Sequence, residues 1–183
     1  MMKKMYLIII GAALIASILY INYYPRERVM DVSWTYAYKD INEMTEKADL
    51  VIVGKAISST SYRESADPFT SIWTDYTVRV DKIIKGKVDE PNIILHQTGG
   101  KIGSETQYIR DDPLIEEGTT MLLFLKQYEP NKYYILGGPQ GRFAVEQGKV
   151  YSIGELYAPA SATTIRLHTK GIALENFLSN FFK

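Results

Sequence analysis

The sequence predicts a mainly β domain carried behind an N-terminal transmembrane helix. Three observations lead there. A 17-residue run without a charge, Met5 to Ile21, lies near the N-terminus. A series of short apolar segments, punctuated by Gly and Pro, follows it. The tail then switches to helical spacing. At 183 residues and 46% hydrophobic content, the chain suits one self-supporting core plus an accessory segment.

Residues 1–25 read as the anchor. The run MYLIIIGAALIASILYI is preceded by Lys3 and Lys4 and followed by Asn22, Tyr23, Tyr24, Pro25 and Arg26. A bilayer core needs roughly 17–25 apolar residues in a helix, and this run meets the lower bound. Tyr20, Tyr23 and Tyr24 suit the headgroup level, and Pro25 ends the helix. The competing readings are a cleaved signal peptide, whose positive n-region is present but whose small-x-small cleavage pattern is not clear, and a buried helix of a soluble domain. Lys3 and Lys4 favour an N-terminus inside, which puts the following domain outside the cytoplasm at the cell membrane, or secreted if cleavage occurs.

Residues 26–39 carry no clean period and read as a linker, with a short strand at its end as the alternative. Residues 40–160 read as the β domain. Asp40-Ile-Asn-Glu43 has the acid-x-x-Glu pattern of a capping box and introduces a short helix to about Ala48. Leu50 to Ile57 is a compact β-branched strand, and Ser58 to Thr70, with Pro68, is a loop. From Ile72 to Asp81, Tyr76, Val78 and Val80 alternate with Thr77, Arg79 and Asp81, the mark of a half-buried strand. Ile83 and Ile84 break that alternation and suggest a bulge.

A turn at Lys85-Gly86-Lys87 leads to a strand over Asn92 to His96, stopped by Gly99-Gly100. Lys101 to Gly118 has little apolar periodicity and reads as a long loop. Thr120 to Leu125 is a central strand, followed by Tyr133 to Leu136 and a hairpin of Arg142 to Val145 with Val150 to Ile153. In the C-terminal segment, residues 161–183, Leu174, Phe177, Leu178 and Phe181 fall on one helical face, an amphipathic helix packing on the domain. Five to seven short strands hide their edges most simply by closing into a barrel.

The 21 basic and 21 acidic residues cancel, and with Lys3 and Lys4 in the anchor the rest holds 19 basic against 21 acidic. A domain near −2 has no footprint for a polyanion, so nucleic acid is not the expected partner. Cys is absent, which excludes disulfides, thiolate metal sites, a Cys nucleophile and a lipid-modified Cys.

Three blocks resemble a known family. Ala48-Asp-Leu-Val-Ile-Val-Gly-Lys55, Tyr76-Thr-Val-Arg-Val-Asp-Lys-Ile-Ile-Lys-Gly86, and Glu117-Gly118 leading into Met121-Leu-Leu-Phe-Leu125 resemble strands of the netrin-like module, the fold of tissue inhibitors of metalloproteinases. With Pro139-Gln-Gly-Arg-Phe143 and Leu174-Glu-Asn-Phe-Leu178, they are also similar to a group of bacterial exported proteins with no established activity. The resemblance implies an OB-like, five-stranded Greek-key barrel. It does not carry over metalloproteinase inhibition, which in the animal inhibitors uses an N-terminal Cys to chelate the protease zinc.

Candidate chemistry is thin. His96 and His168 are the only proton shuttles near neutral pH, and they show no metal-ligand spacing. Asp111, Asp112, Glu116 and Glu117 cluster on the long loop without a calcium-loop pattern. Gly99-Gly-Lys-Ile-Gly103 does not match a phosphate-binding loop. Trp34, Tyr62, Phe69 and Trp73 sit in or near loops where OB folds present ligands, and Gln140 with Arg142 suits a polar contact at a barrel mouth. The contact residues expected are therefore Trp73, Phe69, Gln140, Arg142, Asp111 and Asp112, with no cofactor, no metal and no catalytic set. The function expected is a membrane-tethered, extracytoplasmic binding module contacting another envelope protein or a surface ligand. The alternatives are an envelope enzyme or enzyme inhibitor, and a structural subunit of a membrane complex.

Overall fold

A computed structural model describes residues 2–32, 37–64, 70–153 and 171–182. Trp34, Phe69 and His168 lie outside the described residues. The chain is mainly β. Its elements are α1 (Met2–Tyr23), β1 (Arg26–Met30), α2 (Ile41–Lys47), β2 (Leu50–Tyr62), β3 (Trp73–Lys85), β4 (Asn92–Thr98), β5 (Gly100–Ile102), β6 (Glu105–Ile109), β7 (Thr120–Glu129), β8 (Lys132–Ile135), β9 (Arg142–Glu146), β10 (Lys149–Ser152), β11 (Ile172–Ala173) and α3 (Leu174–Phe181). A 3-10 turn, Gly138–Gly141, enters β9.

The main sheet runs β11-β10-β9-β7-β2-β3-β4-β8, and a further β7–β8 pairing closes β7, β2, β3, β4 and β8 into a ring. Every pair in that ring is antiparallel except β4 with β8, which is parallel. Closure removes the free edges of those five strands. Inside the ring lie Leu50, Ile52, Ala56, Tyr76, Val78, Ile93, Leu95, Met121, Leu123 and Leu125. Outside it, Val51, Val53, Leu122 and Phe124 pack under α2 and α3 through Ile41, Met44 and Phe177. This explains why β2 and β7 read as unbroken apolar runs: both faces are buried, so no alternation is needed.

The bulge expected at Ile83-Ile84 is present. Val51 pairs with Lys85 and Ile52 with Ile83, leaving Ile84 as the extra residue; it turns onto the helix-covered core while Ile83 is exposed. The amphipathic tail is α3, with Phe177 fully buried against Phe143 and Phe124 in the same cluster.

Other boundaries move. The expected linker opens with a strand, β1, paired in parallel with β6, and the expected long loop contains β5 and β6. These three strands (RERVM, GKI and ETQYI) form a separate small sheet, polar and half-exposed, which is why no apolar period betrays them. Strand β2 runs on to Tyr62 through residues expected to be loop. Helix α1 is as expected in extent. Among the described residues, however, no helix is long and apolar enough to cross a membrane. The expected transmembrane span is thus not among the elements the fold itself displays.

Candidate functional site

The site is built by the alternation of β3 and β4. Tyr76 and Val78 point into the ring, so Trp73 and Asp75 point out; Ile93, Leu95 and Gln97 point in, so His96 points out. Register puts Asp75 directly opposite His96, and Tyr134 of β8 beside His96 on its other flank. His96 Nδ1 lies 2.6 Å from Asp75 Oδ1. The Tyr62 hydroxyl stands 3.4 Å from both.

An aromatic surround encloses this pair. The Trp73 ring stacks on the imidazole at 4.7 Å between centroids with a 13° interplanar angle. Tyr128 stands 5.7 Å from His96, and Tyr134 6.3 Å from Tyr128. Tyr128 and Tyr134 are 42% and 43% exposed, large for aromatic residues on a domain with a well-filled core. Burial first, and the Asp75 charge second, push the Tyr62 and Tyr128 phenols up, so both remain neutral hydrogen-bond donors. Tyr134 also lines an open cleft of about 440 Å³ with Tyr38, Lys47, Lys126 and Leu136.

Chemically, the Asp75 contact fixes the imidazole orientation and engages its Nδ1 edge. The face offers flat apolar rings, phenol donors and the Asp75 carboxylate, with the Lys132–Glu129 pair close enough to act on Tyr128. Aromatic residues of this kind are enriched in protein interfaces relative to the rest of the surface. Among the described residues, no group of three or more His, Asp or Glu could hold a metal ion.

The residues singled out in the sequence divide. Trp73 belongs to the outer face. Arg142 and Asp112 do meet, with Arg142 Nη2 3.0 Å from Asp112 Oδ1, but they do so in the interior, at 1% and 4% exposure. Arg142 also donates to the Pro113 carbonyl at 2.8 Å, and Gln97 Nε2 donates to that carbonyl at 3.1 Å. Burial pushes the Asp112 carboxyl up, and the Arg142 guanidinium opposes this in part. The pair therefore locks the 110–118 segment over one end of the ring. Gln140 accepts from the Tyr38 backbone N–H at 3.1 Å, tying the 3-10 turn to the segment before α2. Asp111 is half-buried beside Asp112.

His96 does not meet the loop carboxylate Asp112. Its β4 neighbour Gln97, on the opposite strand face, reaches the Asp112 carbonyl instead. Sequence reading missed Asp75, Tyr128 and Tyr134 as members of the site. Asp75 and His96 were recoverable from strand alternation; their pairing required the β3–β4 register.

No protein-family model matches the sequence, and no curated protein matches it either.

Proposed function

We propose that this protein is a membrane-tethered binding module standing outside the cytoplasm, with an OB-like barrel whose outer Trp73–His96–Tyr128–Tyr134 face contacts the partner. The aromatic face carries this reading: its rings are positioned by strand register and by the Asp75–His96 contact, and its Tyr128 and Tyr134 side is exposed. Ring order and the single parallel pair support an OB-like closure.

The anchor rests on α1. Ile9, Ile10, Leu14, Ile15, Ile18 and Leu19 are all exposed, and at 3.6 residues per turn they fall all round the helix axis. A helix apolar on every side needs a hydrophobic surround, and the domain supplies none to these residues. Lipid is the surround that the uncharged run Met5–Ile21, with Lys3 and Lys4 before it, fits best.

The test is site-specific photocrosslinking in membranes. With Tyr134→benzoylphenylalanine, the full chain should give a discrete adduct that disappears when Trp73→Ala is added. The same probe at exposed Lys82 should give none. Absence of an adduct at Tyr134, or an identical pattern from both positions, would refute the assignment of this face.

A second reading is carried by the 2.6 Å His96–Asp75 contact, an arrangement able to serve as general base. It requires turnover on an envelope substrate that His96→Gln abolishes while the folded state is unchanged.

A further inference from the structure

Residues 26 to 31 are bonded to the domain along their length. The Arg26 N–H donates to the Ser104 carbonyl at 2.8 Å, and β1 then keeps register with β6 from Arg26–Glu105 to Met30–Ile109. The Arg110 N–H donates to the Met30 carbonyl at 3.0 Å, and Arg110 pairs with Asp31 at 2.7 Å. Strand β6 is itself tied to the ring: buried Gln107 accepts the Ile72 N–H at 2.8 Å, and Glu105 pairs with Arg63 at the end of β2 at 2.8 Å.

At the other end, the Tyr24 N–H still donates to Tyr20 O at 2.8 Å. Helical bonding thus reaches Tyr24, and Pro25 alone stands between it and the Arg26 bond. One extended residue spans roughly 3.3–3.6 Å, so the slack between helix and domain is below about 10 Å.

We infer that this staple seats the domain directly on the bilayer that α1 enters. The β5–β6 turn and the Tyr62–Arg63 strand end lie at the headgroups, and the β3–β4 connection lies farthest away. The inference rests on the proposed reading of α1 as an anchor. Strand β3 runs from Trp73 at the proximal end to Lys85 at the distal end, a separation of roughly 30–40 Å at about 3.3 Å per residue. The aromatic face begins at its Trp73 end, so that edge of the face stands nearest the membrane, while Tyr134 continues it toward the cleft beside Lys47 and Lys126.

The sequence has no Cys, so single-Cys variants of the full chain carry one label each. Lys101→Cys in β5 and Lys87→Cys in the β3–β4 connection, both at exposed positions, take an environment-sensitive fluorophore in phosphatidylcholine vesicles containing headgroup spin-labelled lipid. The expected result is several-fold stronger quenching at 101 than at 87. Inserting about ten Gly/Ser residues between Tyr24 and Pro25 should leave vesicle flotation intact and remove most of that difference. Ser104→Cys provides a second proximal label should the first variant fold poorly. A chain that floats with vesicles but quenches equally at 101 and 87 overturns the seating alone. A chain that does not float overturns the anchor, and the seating with it.

Discussion

Asp112 and Arg142 face each other where water cannot reach, so removing one strands the other. Arg142→Met leaves a buried carboxylate without its cation, a loss of about 3–5 kcal/mol. Adding Asp112→Asn should recover part of it, because no uncompensated charge then remains. Urea unfolding midpoints of the two variants measure both effects; a midpoint for Arg142→Met close to that of the parent would contradict the assignment. Tyr76 sits beside this pair, its hydroxyl accepting from the Ile115 N–H at 3.2 Å and its phenol pushed up to about 12, chiefly by burial. Tyr76→Phe orphans that buried N–H and should cost about 1–3 kcal/mol in the same assay.

Asp49 behaves differently because it is partly exposed. Burial alone would raise its carboxyl, but the Lys126 ammonium at 2.7 Å and the Gln127 N–H at 3.0 Å more than offset this and hold it below its ordinary value of 3.8. A depressed carboxyl contributes stability that is complete above pH 3.8 and lost as pH falls through the folded value. Asp49→Asn should therefore flatten the acid limb of the stability profile, with little change in its slope near neutral pH. An unchanged acid limb would count against this contact.

Among the elements, α2 shows how far local signals reach. Asp40 Oδ1 accepts the Glu43 N–H at 2.9 Å, as the capping pattern predicts, but Glu43 reaches back to the Lys39 N–H rather than to Asp40. At the other end, Lys85 from β3 donates to the carbonyls of Thr45 (2.7 Å), Glu46 (3.1 Å) and Ala48 (2.6 Å). This long-range cap was not legible, since Lys85 and Gly86 read only as a turn. Gly86 has φ +82°, and a Cβ there would lie 2.4 Å from the Asp49 carbonyl, so the close β2–β3 approach requires glycine. Asp40→Ala and Lys85→Met should each cost about 1 kcal/mol, the former by a lost N-cap and the latter by unbonded helix-end carbonyls. Amide hydrogen exchange over Ile41–Lys47 should rise in both, and protection equal to the parent would contradict the two-ended cap.

Strands whose side chains had to be buried announced themselves; strands held mainly by backbone pairing did not. LVIV and MLLFL were plain because β2 and β7 are buried on both faces. RERVM and ETQYI were hidden because their sheet is stitched by polar contacts such as Tyr108 to Glu27. The site follows the same division. Trp73 and His96 were each visible as residues, yet their stacking depends on a register that no local pattern encodes. Arg142 is expected at a barrel mouth and Asp112 in a solvated cluster on the long loop; their pairing puts both inside.

For the whole molecule, the proposed function makes the ring, the small sheet and α1 one mechanical sequence: lipid-facing helix, staple, ring, aromatic face. The absence of Cys makes this directly testable, because Lys87→Cys gives the full chain a single thiol on the exposed β3–β4 connection. Intact cells producing this variant are treated with a membrane-impermeant maleimide before and after permeabilisation. The tethered, outward-facing arrangement requires full labelling of membrane-bound protein before permeabilisation. Labelling only after it, or recovery of the protein in the soluble fraction, would contradict the arrangement.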